Sequence, residues 1–196
     1  MSEVTLPLFP LKTVLFPGGP LRLQIFEPRY LEMVRDCTSQ GTEFGVCLIV
    51  EGAEAGGATA TARVGTTARI VDFFTTDKGL LGIQAEGISR FKLQDTRVRD
   101  NGLAVGEIEL LEPEPEIPVD PQFALLPTIL EKLLEQTSEI YGDVPTQRLD
   151  DSSWVGCRLS EILPLELVQK QLLLECQEPE TRLEQLTRFL PDLGPN

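Results

Sequence analysis

The chain has no histidine, so the side chains best able to activate a nucleophile near neutral pH are its five lysines, Lys12, Lys78, Lys92, Lys132 and Lys170. A Ser-Lys dyad needs one of them desolvated, because burial is what brings a lysine pKa down toward the working range. Lys78 falls at a predicted turn tip, Lys132 among helix-surface glutamates, and Lys92 alternates outward beside Phe91 in a strand. Lys170 follows an apolar helix face, where snorkelling or ion pairing is expected of a lysine. Nothing in the spacing joins a serine, a lysine and an orienting group, and hydrolysis stands last among the functional readings.

The missing histidine also removes Ser-His and Cys-His pairs and the imidazole ligands of zinc and copper sites. Cys37, Cys47, Cys157 and Cys176 are widely spaced with no C-x-x-C pair, and each has apolar neighbours, so they read as reduced, buried small hydrophobes. No Gly-Lys dipeptide occurs, which excludes the G-x-x-x-x-G-K-[ST] phosphate cradle, and Gly18-Gly19 and Gly56-Gly57 read as turns. No Asp-rich stretch could hold calcium, and the adjacent Asp150 and Asp151 read as helix caps. The expectation is a protein that is not an enzyme, with no metal and no cofactor.

Charge narrows the partners. The chain holds 31 acidic and 17 basic side chains, a net charge of −14, which repels phosphate backbones and anionic membranes unless a local patch is basic. Residues 1–111 hold 11 basic and 14 acidic side chains, whereas residues 112–196 hold 6 and 17. Arg90, Lys92, Arg97 and Arg99 cluster around Phe91 in the balanced part. Two readings of that cluster stay open, a stacking-and-phosphate surface for RNA and an ordinary solvent face that protects a strand pair from aggregation. Glu131, Glu135 and Glu139 share one helix face, which either attracts a basic partner or keeps the chain soluble. Apolar runs such as Val46–Val50 fall far short of the ~20 residues of a membrane span. The N-terminus lacks a basic region, and Pro7, Pro10 and Pro17 break any apolar signal segment, so a cytoplasmic protein without a membrane partner is expected.

The elements that must position these residues have two different periods. From Val4 to Leu111 the chain reads as short strands: Leu21–Phe26 and Leu103–Leu110 alternate with period two, and Asp77-Lys78-Gly79 and Asp100-Asn101-Gly102 mark turns, the Asn-Gly pair supplying positive φ angles. An antiparallel barrel or sandwich follows, interrupted by one helix from Pro28 to Cys37, with Phe26 and Leu31 placed as a hydrophobic staple. Residues 112–120, acidic and proline-rich, read as a linker. Residues 121–196 then show helical stripes, Leu126, Ile129, Leu130, Leu133 and Leu134 in one, Leu183, Leu186 and Leu190 in another. Caps at Asp150–Ser153 and fresh starts after Pro164 and at Pro179 make a small bundle of four helices. The fold class is α+β, a β-rich half followed by a helical half.

The segments Leu6-Pro7-Leu8-Phe9-Pro10-Leu11, Val14-Leu15-Phe16-Pro17-Gly18 and Ile25-Phe26-Glu27-Pro28-Arg29-Tyr30-Leu31 resemble the opening signature of the Lon protease N-terminal domain. Phe44-Gly45-Val46, Val64–Ile70, Gly87–Phe91, Leu163-Pro164-Leu165, Lys170–Glu175 and Arg182–Leu186 are similar to its later parts, so the resemblance covers nearly the whole chain. Gly52–Thr61 carries none of it and reads as a mobile loop. The resemblance implies a PUA-like β subdomain before a helical bundle, and a role in recognising protein substrates. In full-length Lon a following ATPase module and a Ser-Lys protease domain carry the chemistry. A chain of 196 residues with no phosphate loop has room for neither, so recognition without that engine is expected.

Such an architecture would bind protein or unfolded polypeptide segments, with a protease or chaperone as a further partner, by strand addition or in an apolar groove. The candidate contacts are Phe16 and Pro17 in the first loop, Phe26, Glu27, Pro28, Arg29 and Tyr30 at the start of the helix, and Arg90 and Phe91 near the barrel rim. Five of them have a structural alternative: a staple for Phe26, an internal ion pair for Glu27 with Arg29, core packing for Phe91, and packing against the sheet for Tyr30.

Overall fold

Strand β1 (Val4–Leu11) has Pro7 and Pro10 within it, and proline is tolerated where a ladder is incomplete. Its first half, Val4–Pro7, pairs antiparallel with β7 (Ala104–Leu110), and its second half, Leu8–Leu11, pairs parallel with β3 (Phe44–Glu51). The computed structural model describes residues 4–51, 60–142 and 144–190. The expected loop over Gly52–Thr61 falls mostly outside them; its last two residues, Ala60–Thr61, form strand β4 against β3.

The chain divides into two compact units, Met1–Glu112 and Pro113–Asn196. In the first, β2 (Pro20–Ile25), the helix α1 (Pro28–Gln40), β5 (Val64–Thr75) and the long β6 (Leu81–Val98) complete the set. Strand order β1-β7-β6-β5-β3, with β3 returning to β1, closes a five-stranded ring. The expectation of an antiparallel barrel or sandwich therefore needs one amendment, because the closing seam is parallel. Strand β6 is long enough to serve two structures. Its second half joins the ring, and its first half sits between β5 and β2 in a three-stranded ply.

Two apolar clusters follow from this geometry. Leu6, Leu8, Cys47, Phe91, Leu93 and Ile108 fill the ring, and α1 lays Tyr30, Met33, Val34 and Cys37 into a second cluster with Phe9, Phe44 and Ile83. Pro28 opens α1 and Gly41 ends it in the left-handed conformation (φ 65°), returning its N–H to Cys37 O, so the helix runs one turn beyond the expected Cys37. At the β6–β7 turn only Gly102 takes a positive φ (81°). Asn101, expected to share a positive φ with its glycine, instead accepts a hydrogen bond from the Leu103 N–H (3.0 Å), in a three-residue loop ending on glycine.

The second unit is helical: α2 (Leu125–Gln136), α3 (Ser138–Tyr141), α4 (Ser152–Ile162), α5 (Leu167–Glu175) and α6 (Pro179–Phe189). Leu126, Leu130, Val155, Leu159, Leu173, Leu183 and Leu186 form its interior. Asp151 caps α4 through the Ser153 N–H (3.0 Å), as its position before the apolar run implies. The acidic, proline-rich stretch read as a linker is packed down from its third residue. Glu114 forms two hydrogen bonds to the fully buried Arg182 (2.7 and 2.6 Å) and accepts one from Ser153 Oγ (2.6 Å). Ile117 O accepts from Ser152 N (2.8 Å), and Val119 N donates to Asp150 O (3.0 Å). Alternating prolines remove donors, but the remaining peptide groups and one carboxylate are enough to strap the segment onto the helices.

Candidate functional site

The nine candidate side chains separate into three environments. Phe16 is fully buried, because its loop is pinned on both sides: Thr66 Oγ1 donates to Leu15 O (2.6 Å), Gly18 N to Gly87 O (2.7 Å) and Gly87 N to Gly19 O (2.9 Å). A Cβ on Gly87 would collide with Phe16 O, so the backbones meet only because residue 87 is glycine. Phe16 therefore packs and does not reach a partner, and Pro17 beside it is half-buried. Phe91 is likewise fully buried in the ring, and Arg90 is buried rather than on an accessible rim.

The start of α1 is different. Glu27 and Arg29 form the internal pair (2.9 Å), and Arg29 Nη1 also donates to Gly102 O (2.9 Å) across the chain. Tyr30 is held face to face by Phe9 (4.0 Å between centroids), with the Arg29 guanidinium 4.7 Å from its ring centre. Pro28 does its work in the backbone, as the first helical residue. Phe26 and Leu31 occupy the staple positions, yet Phe26 is 60% exposed and Leu31 39%, so neither is buried as a staple would bury it. Phe26 instead follows directly on β2, whose one partner among the described strands is β6. In the same ply Phe73 is paired across from Ile83, as is Leu23, and Phe73 is 45% exposed.

Two clefts arise from the split pairing of β1. Beside Leu8–Leu11 the edge that β7 would extend along is unpaired among the described residues, and a cleft of about 410 Å³ opens there, lined by Leu8, Pro10, Arg29, Tyr30, Arg63 and Leu93 among others. Beside Val4–Pro7 the opposite edge has no strand partner among the described residues, and a second cleft of about 470 Å³ is lined by Val4, Leu6, Met33, Cys37, Glu43 and Arg99 among others. Both volumes are in the range of ligand sites. Burial raises the Cys37 thiol, reinforced by Asp36 and opposed by a hydrogen bond to Thr42 and by Arg99, so at neutral pH this side chain is an apolar wall. Neither cleft was legible in advance, because each depends on which half of β1 pairs with which distant strand.

The basic cluster does not assemble into one face. Arg90 turns inward, Lys92 is paired across from Glu109, and Arg99 lines the second cleft. Lys170 donates to Glu161 O (2.7 Å), where burial lowers its pKa and Glu161 opposes the shift, while Ser160 Oγ donates to Gly156 O (2.7 Å). Lysine and serine are thus each committed to a backbone carbonyl. Arg158 pairs with Glu161 (2.9 Å), whose carboxyl is raised by burial, with Arg158, Tyr141 and Lys170 opposing. The buried arginines Arg158 and Arg182 were not anticipated, since arginine is rarely buried unless paired. No helix among the described residues is long and apolar enough to cross a membrane.

Comparison with known proteins follows the same architecture. The family model of the ATP-dependent protease La (LON) substrate-binding domain matches residues 5–192. The crystal structure of a Lon N-terminal domain protein from Xanthomonas campestris is 43% identical, covers 95% of this chain and 98% of its own, and superposes with a TM-score of 0.80. The N-terminal domain of the Mycobacterium avium complex Lon protease shares the fold at 17% identity, with a TM-score of 0.69 over 96% of this chain and 99% of that one. Protein cereblon of Danio rerio is 34% identical over 128 residues, 63% of this chain and 29% of that protein. Lon protease of Anaeromyxobacter dehalogenans is 26% identical over 196 residues, 94% of this chain and 23% of that protein. The chain spans about a quarter of the length of these curated relatives.

Proposed function

The chain belongs to the ATP-dependent protease La (LON) substrate-binding domain family, and from that premise we propose that it is a non-catalytic module that binds extended or unfolded segments of other proteins on its β-rich unit. The observation that carries the reading is the open edge of β2, six residues with no partner on one side among the described strands, continued by the exposed ring of Phe26. An open edge offers main-chain hydrogen bonds to any extended segment whatever its sequence, and apolar side chains beside it supply the burial that holds the segment. Arg22 and Gln24 alternate with Leu21 and Leu23 along β2, and charged or polar edge residues of this kind also keep identical chains from pairing with one another. A protease or a chaperone that receives the bound segment is the corresponding partner, with the cytoplasm as the compartment.

The test is a fluorescence anisotropy titration with labelled α-lactalbumin, reduced and carboxymethylated so that it stays unfolded, against the native protein. Saturable binding of the unfolded form alone is expected, weakened at least about tenfold by Phe26→Ser if the ring is an anchor, since truncating an aromatic hot spot costs about 2 kcal/mol or more. Failure of the unfolded form to bind would overturn the reading.

A further inference from the structure

The cleft beside Leu8–Leu11 has a shape that the open edge of β2 lacks, in that it is closed at one end. Strand β7 runs antiparallel to β1 and begins at Ala104, opposite the first half of β1, and the chain before it turns away at Gly102 into the β6–β7 loop. A guest strand laid along Leu8–Leu11 on the line of β7 therefore meets Gly102–Ala104 and cannot pass. Only a chain end fits a closed track in extended conformation. At the closed end stands Arg29, fixed by Glu27 (2.9 Å) and by Gly102 O (2.9 Å). Those contacts use Nε, one Nη1–H and one Nη2–H, and a guanidinium has five N–H groups, so two remain. Arg63 lines the same cleft, is exposed, and has no ion-pair or hydrogen-bond partner for its side chain among the described residues. Among the described residues Asp95 is the one acidic side chain lining the cleft, against these two arginines. Its apolar surface comes from Pro10, Val98 and Ala104, whereas Leu8 and Leu93, which also line it, are buried in the ring.

We propose that this cleft receives the free C-terminus of a polypeptide, with the terminal carboxylate facing Arg29 and Arg63 and the last side chain beside Pro10, Val98 and Ala104. The inference rests on the polypeptide-binding reading above and names the part of the client that enters this cleft. Closure selects an end over the middle of a chain, and the arginines select the carboxylate end over the ammonium end. A carboxylate held by fixed guanidinium donors forms charge-assisted hydrogen bonds, which are about twice as strong as neutral ones and are lost when the carboxylate becomes an amide.

The experiment compares three fluorescein-labelled probes by anisotropy against the folded chain: an uncharged octapeptide ending in a free leucine carboxylate, the same peptide as its C-terminal amide, and reduced carboxymethylated α-lactalbumin. The free acid should bind at least tenfold more tightly than the amide, and Arg63→Gln, at an exposed position that leaves the fold intact, should remove most of that difference. Equal binding of acid and amide, or an unchanged preference in Arg63→Gln, would overturn the C-terminal site. Binding of α-lactalbumin without either peptide would overturn it too, while leaving the general reading standing. No binding of any probe would overturn both.

Discussion

Cys47 shows how much one buried residue controls. Its thiol lies in the ring against Phe91 and Leu8, and burial pushes its pKa from 9.0 up to about 12. A folded pKa above the unfolded one means that the protonated form is favoured by folding. The stabilisation is therefore complete below pH 9 and is lost as pH rises from about 9 through about 12. At 1.36 kcal/mol for each unit, the loss is at most ~4 kcal/mol. Cys37 and Tyr141 are also raised and add to the alkaline slope, so the contribution of Cys47 is read as a difference. Urea unfolding of wild type and Cys47→Ala between pH 8 and 11 should show the variant less stable at pH 8, from the lost packing, but losing stability more slowly as pH rises. Parallel curves would mean that the thiol does not ionise on unfolding in this range.

Among the elements, the segment from Pro113 to Asp120 departs furthest from its sequence pattern. Alternating Glu and Pro reads as an extended, self-repelling tether, and that reading holds only while the carboxylates are solvated. Glu114 is not, because Arg182 is buried beneath it and also donates to Leu173 O (2.8 Å) and Cys176 O (3.2 Å). Removing the carboxylate leaves a buried cation without its counter-charge, so Glu114→Ala should cost about 3–5 kcal/mol. Glu116→Ala, two residues on and exposed, should cost less than about 0.5 kcal/mol. Chemical denaturation of the two variants checks the contrast, and equal costs would show that the strap contributes nothing. Signals carried by neighbouring residues were legible: Pro28 and Gly41 bound α1, Asp151 caps α4, and Pro179 opens α6. What was not legible depends on distant partners. The parallel β1–β3 seam, the burial of Phe16 by Thr66 and Gly87, and the inward turn of Arg90 are each decided by residues dozens of positions away, which period and capping rules do not reach.

At the scale of the whole molecule, the division of charge has a thermodynamic consequence. The helical unit, residues 113–196, carries 16 acidic and 6 basic side chains, and three of the six cations are engaged inside it: Arg182 by Glu114, Arg158 by Glu161, and Lys170 by Glu161 O. The surface of that unit is therefore more anionic than its composition implies, and mutual repulsion among exposed carboxylates opposes compaction. Buried pairs are screened little by salt, whereas exposed repulsions weaken as the screening length shortens from about 30 Å at 0.01 M to about 10 Å at 0.1 M. Added sodium chloride should accordingly stabilise the helical unit, by something on the order of 1 kcal/mol given the small size of individual surface terms. The chain has one tryptophan, Trp154 in α4, so its fluorescence reports unfolding of this unit specifically. The urea midpoint followed at Trp154 should rise between 10 and 150 mM salt at pH 7. At pH 4, where many of the exposed carboxylates are protonated, the same increment of salt should raise it by less. A midpoint that falls with salt at pH 7 would show that attractive surface pairs, rather than repulsion among carboxylates, dominate the field of the helical unit.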